Sequence, residues 1–134
     1  MTILKVRLLF ISAGMYDFTI GLTFLFFGAR LFDAAGVPPP NHWAYIQFGS
    51  LMLVIFGWMF FAVARAPEAN CNLIPYGMML KLSYTCLAGY YWISTDCPML
   101  FKPFAVIDAV MFVGFWMAYL ACRRSALPKG KVTE

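Results

Sequence analysis

The chain is 134 residues long, 63% of them hydrophobic and 12% charged, with a net charge of +4. Soluble domains carry about 25% charged and about 45–50% apolar residues, so a water-soluble enzyme is excluded on composition. The mean hydropathy of +0.76 agrees.

A helix needs roughly 20 apolar residues to cross a hydrocarbon core. The sequence supplies four blocks of that length, at about residues 8–28, 44–64, 73–94 and 103–122. Unbroken apolar segments of this kind form helices in lipid, where each backbone amide must be satisfied within its own segment. The predicted fold class is therefore all-α: one domain over 1–134, a four-helix transmembrane bundle in up-down-up-down order, followed by a basic tail at 123–134.

The first block follows Lys5 and Arg7, as in a signal peptide. It is longer than a signal h-region of about 7–15 residues and holds Asp17 near its centre, so it is expected to stay as a span. Its glycines, Gly14, Gly21 and Gly28, recur every seven residues, and Asp17 falls between the first two. That spacing places the acid on a smooth helix face suited to close packing.

The link to the second block contains Pro38, Pro39 and Pro40, which favour a stiff extended segment. The second helix has a stripe of Gln47, Ser50, Val54, Gly57 and Phe61. The third opens at Pro75 and carries Gly77, Lys81, Tyr84, Ala88 and Tyr91 on one face; the fourth opens at Pro103 and carries Asp108, Phe112, Phe115 and Tyr119. Proline suits the first helical turn, where its missing N–H has no partner to lose. Trp43, Tyr45, Tyr90, Tyr91 and Trp92 are placed for an outer interfacial belt.

Basic residues set the orientation. Lys5, Arg7, Arg65, Arg123, Arg124, Lys129 and Lys131 fall on one side, against Arg30 and Lys102 on the other. The positive-inside rule then puts both termini in the cytoplasm, with the tail near anionic headgroups. Nucleic acid is not an expected partner, because the basic residues form no groove with interleaved aromatics.

Catalytic and cofactor signatures are missing. His42 is the sole histidine, too few for a metal or haem set, so no metal and no cofactor is expected. Cys71, Cys86, Cys97 and Cys122 contain no C-x-x-C pair; Cys97, in an outer loop, is the one expected to be available for an intermolecular link. Nucleotide-binding and hydrolase motifs are also missing.

What remains is the set of ionisable groups at bilayer depth. A charge there costs about 2.5–3.5 kcal/mol on the insertion scale and must turn inward to a partner. Asp17 lies near mid-membrane and Lys81 about a third of the way in from the cytoplasmic side, within reach of its stem at about 1.5 Å rise per residue. This predicts a buried Asp17–Lys81 ion pair with Tyr84 nearby, either fixing helix register or serving as a transport site. Gln47 and Asp108 both fall within a turn or so of the outer interface and are expected to form a separate outer polar pair.

Tyr16-Asp17, Pro40-Asn41-His42, Asn72-Leu73-Ile74-Pro75-Tyr76-Gly77 before Lys81, and Lys102-Pro103-Phe104-Ala105-Val106-Ile107-Asp108 give nearly the whole chain a resemblance to small bacterial four-span proteins of the DoxX-like kind. The resemblance implies a bacterial inner (cytoplasmic) membrane; many such proteins have no assigned activity, and some are accessory subunits of membrane oxidoreductase systems. Two functions follow as expectations. One is a non-enzymatic accessory or assembly subunit. The other is a minimal homodimeric transporter, similar in plan to small multidrug exporters, with Asp17 and Lys81 as its intramembrane site.

Overall fold

The computed structural model describes residues 1–126; Lys129, Lys131 and the rest of the expected basic tail beyond 126 lie outside the described residues. Those described form four helices and no strand: α1 Ile3–Ala34, α2 Ala44–Arg65, α3 Ile74–Ser94 and α4 Lys102–Ala126, with a 3-10 turn at Cys71–Leu73 leading into α3.

The helix ends follow from local chemistry. Thr2 caps α1, its hydroxyl accepting from the Lys5 N–H at 3.4 Å. Gly36 ends that helix with φ of 63°, a left-handed conformation that favours glycine. There the Val37 N–H donates to Phe32 O and the Gly36 N–H to Asp33 O, so the last carbonyls are satisfied. The imidazole of His42 accepts from the Ala44 N–H at 3.1 Å, so this residue serves the start of α2. At the other end of α2, Asn70 Nδ2 donates to the carbonyls of Ala62 and Ala66 at 2.9 and 3.1 Å. Pro75 sits in the first turn of α3 and Pro103 is the second residue of α4, as their missing N–H groups favour.

Three stretches are long and apolar enough to cross a membrane: Ile3–Ala34, Ala44–Arg65 and Lys102–Ser125. The 32 residues of α1 exceed the expected block because the helix continues through Lys5 and Arg7 at one end and Arg30 and Asp33 at the other. α3 has 21 residues, enough in length, but Lys81, Ser83, Tyr84, Thr85 and Ser94 lower its apolar character.

α1 and α2 form the most extensive contact. Cβ atoms placed on the α1 glycines would meet Phe61 and Gly57 from Gly14, Ser50 and Val54 from Gly21, and Trp43 and Ile46 from Gly28. Position falls along α2 as it rises along α1, so this pair is antiparallel. At Gly21 the added carbon would stand 2.7 Å from the Ser50 carbonyl oxygen, so only a residue without Cβ allows the two backbones this close.

One apolar cluster joins the start of α1, the end of α2, the start of α3 and the end of α4. It contains Val6, Phe10, Val63, Ile74, Phe115 and Cys122. Its centre is an aromatic trio: Phe10 stacks on Phe115 at 4.5 Å, and Phe60 meets Phe115 edge-on at 5.0 Å. Gly77 makes the room, since a Cβ there would lie 2.5 Å from Phe60 Cε1. This end is filled; the rest of the interior is not.

Candidate functional site

Lys81 stands one turn beyond Gly77 on α3 and is completely buried. Its ammonium lies 5.1 Å from the Tyr16 ring centroid and 5.8 Å from that of Phe60, within cation–π range of both. It donates to Asp17 Oδ1 at 2.5 Å. Asp17, on the inward face of α1, is also completely buried. The two residues singled out in the first and third helices are therefore in contact, at the height where the aromatic cluster ends.

A second acid joins them. Asp108 Oδ1 lies 3.0 Å from the Lys81 ammonium, off the hydrogen-bonding direction, and Asp108 is only 6% exposed. This corrects the expected Gln47–Asp108 pair: Gln47 is exposed on α2, and no hydrogen bond joins it to Asp108 among the described residues. The reason is register. The Thr85 hydroxyl donates to Ala105 O at 3.3 Å and the Tyr84 hydroxyl to Phe101 O at 3.2 Å, which slides α4 along α3 until Asp108 faces Lys81. Tyr84 is thus near the ion cluster, but its hydroxyl is committed to the first turn before α4.

Two carboxylates now share one ammonium. Asp17 Oδ2, Asp108 Oδ1 and the Tyr16 hydroxyl are buried without a hydrogen-bond partner. Such atoms are uncommon in protein interiors and call for an explanation at each site.

All three residues line a cavity of about 410 Å³. One wall is α2, through Ile46, Gly49, Ser50 and Leu53; the opposite wall is α3, through Leu80, Ser83, Tyr84 and Leu87. Phe24, Phe101 and Phe104 close the far side. α2 scarcely touches α3, and the wall residues Tyr45, Gly49, Ser83 and Leu87 are exposed on the outside of the bundle. The space is therefore a cleft between α2 and α3, apolar at its walls and acidic at its floor, that opens sideways. Ser50 does not add a free donor, because its hydroxyl is bonded to Ile46 O at 2.7 Å.

A smaller cavity of about 240 Å³ adjoins the cleft through Tyr84, Leu87 and Phe101 and extends to Thr95 and Asp96. Cys97 is buried there, at 7% exposure, with its thiol toward Pro98 O. This corrects its expected role in an intermolecular link: the segment between α3 and α4 folds inward over it. The cysteine exposed on the bundle is Cys86.

Sequence reasoning identified Asp17, Lys81, Tyr84 and Asp108 but not Tyr16, whose hydroxyl and ring both face the cluster. Its signals were its position next to Asp17, one residue around the helix, and its place in the Tyr16-Asp17 pair that contributes to the resemblance. Compared with protein-family models, with curated proteins and with solved structures, the chain matches none of them.

Proposed function

We propose that the chain is a four-span integral membrane protein, up-down-up-down with both termini cytoplasmic, and that it binds a small molecule in the cleft between α2 and α3. In this reading α3 is the fourth span, its polar residues tolerated because Lys81 is wholly enclosed by the other helices. Lys5, Arg7, Arg65, Arg123 and Arg124 mark the cytoplasmic end. The bacterial inner membrane is the location that the DoxX-like resemblance implies.

One observation carries the reading: a buried Asp17–Lys81–Asp108 cluster with unpartnered carboxylate oxygens floors a cleft of about 410 Å³. A cluster that served only to fix helix register gains nothing from an adjoining cavity or from unsatisfied acceptors. A binding site needs both. The protein then acts as a minimal carrier, working as a homodimer, with Asp17 and Lys81 in its site and no catalytic chemistry of its own.

The other reading is an accessory or assembly subunit of a larger membrane complex. What favours it is the exposed face of α2, where Tyr45, Phe48, Ile55 and Trp58 form a large apolar surface. Extraction in mild detergent followed by mass spectrometry separates the two. A homodimer whose reconstituted vesicles take up solute, and lose that uptake in Asp17→Asn, supports the carrier. A stoichiometric larger partner without uptake supports the subunit.

A further inference from the structure

Cys71 and Cys122 are far apart in the chain, but the fold brings them together at the filled end of the bundle. Cys71 opens the 3-10 turn that leads into α3, and this turn packs against α4. Cys122, on α4, belongs to the apolar cluster there and is completely buried, whereas Cys71 packs against the same cluster and stays partly exposed. Beside the Cys122 thiol stands that of Cys71, within reach of a side-chain hydrogen bond.

Both sulfurs are held in place. Asn70, the residue before Cys71, is tied by its side chain to Ala62 O and Ala66 O, and the Leu73 N–H donates to Asn70 O at 3.0 Å, so the turn is pinned between the end of α2 and the start of α3. Cys122 is fixed by its helix and by the cluster around it. Redox-sensing cysteines need this combination: one sulfur open to the oxidant and a resolving sulfur next to it. A shared metal ion is a poorer reading of the pair, because no group of three or more His, Cys, Asp or Glu side chains able to hold one occurs among the described residues.

We propose that Cys71 and Cys122 are an oxidation site that hydroperoxides convert to a reversible disulfide. The Cys71 thiolate attacks one peroxide oxygen and the O–O bond breaks. The other oxygen leaves with a proton, as water or an alcohol, and Cys71 becomes a sulfenic acid. The Cys122 sulfur then attacks the Cys71 sulfur: the S–S bond forms, the S–O bond breaks, and the hydroxyl leaves with the Cys122 proton as water. The two sulfurs together lose two electrons and the peroxide gains them; a thiol reductant reverses the change. The bond ties the base of α3, the helix of Lys81, to the end of α4, the helix of Asp108. Disulfides in a reducing compartment are usually transient and sensing, which suits an end that Arg65, Arg123 and Arg124 mark as cytoplasmic in the orientation proposed above. The switch is independent of what the cleft binds.

The test exposes the folded full chain in detergent micelles to hydrogen peroxide, blocks the remaining thiols with N-ethylmaleimide in denaturant, and maps the peptides by mass spectrometry. The expected product is a cross-linked peptide pair joining Cys71 to Cys122, cleaved again by dithiothreitol, with Cys86 and Cys97 recovered as alkylated thiols. It should form at least about tenfold faster in the folded protein than after unfolding in urea and dodecyl sulfate, because the fold holds the two sulfurs together. In Cys122→Ala, Cys71 should stop at the sulfenic acid and be trapped by dimedone. In Cys71→Ala, the enclosed Cys122 should stay a thiol.

Cross-linking at the same rate in the unfolded chain, a bond to a different cysteine, or oxidation of Cys71 that never reaches Cys122 in the unsubstituted protein would each overturn the proposal. Survival of both thiols in the peroxide would do the same.

Discussion

Lys81 on α3 and Asp108 on α4 stand with their charged atoms 3.0 Å apart, so the ammonium that meets Asp17 has a second carboxylate beside it. Asp17→Asn therefore does not strand the lysine, because Asp108 remains. Removing both acids does. Asp17→Asn should lower stability modestly, whereas Asp17→Asn with Asp108→Asn should cost about 3–5 kcal/mol, the usual penalty for an uncompensated buried charge. Unfolding of the two variants in mild detergent, followed by circular dichroism, checks the difference.

The close approach of α1 to α2 rests on backbone contact at Gly21. A methyl group there would lie 2.7 Å from Ser50 O, and backbone cannot swing aside as a side chain does. Gly21→Ala should destabilise by about 1–3 kcal/mol, as overpacking does. Gly49→Ala, where nothing lies within 4 Å, should be neutral or stabilising by up to about 1 kcal/mol through helix propensity alone. Thermal unfolding of both variants measures the contrast.

Thiol labelling separates lipid exposure from burial. Cys86 is exposed on α3, while Cys97 and Cys122 are buried. In membranes, an apolar maleimide should modify Cys86 before Cys97 and Cys122, and, with α3 a span as proposed, a charged, impermeant one should spare it. Cys97 should react slowly with either until the protein is unfolded. Mass spectrometry of labelled peptides over time reads the order.

Topology is open to a direct assay. A fluorescent protein that matures only in the cytoplasm, fused after Glu134, should fluoresce, and alkaline phosphatase at the same place should be inactive. The opposite pair of results would reverse the orientation drawn from Lys5, Arg7, Arg65, Arg123 and Arg124.

Much of this structure is written in local sequence. Pro75 and Pro103 mark helix starts, apolar length marks the three helices long and apolar enough to cross a membrane, and the recurrence of Gly14, Gly21 and Gly28 marks the face that meets α2, because each depends only on neighbours along one helix. The Asp17–Lys81 contact was legible too, from depth and the reach of a lysine stem. Asp108 was misplaced because its height relative to Lys81 depends on how α4 slides along α3. That register is set by the Tyr84–Phe101 and Thr85–Ala105 hydrogen bonds and by the inward fold over Cys97, none of which leaves a periodic trace. The cleft was invisible for a related reason. It exists because α2 is held tightly to α1 and scarcely touches α3, a matter of spacing between helices that no single helix encodes.

Three charged side chains from three helices, Asp17, Lys81 and Asp108, form one buried unit. The most direct measurement is the unfolding free energy, in the same detergent, of Lys81→Met and of the triple variant Lys81→Met with Asp17→Asn and Asp108→Asn. The single change leaves two buried carboxylates without their cation and should cost about 3–5 kcal/mol; the triple change removes all three charges and should recover most of that loss. A triple variant no more stable than Lys81→Met would contradict the account.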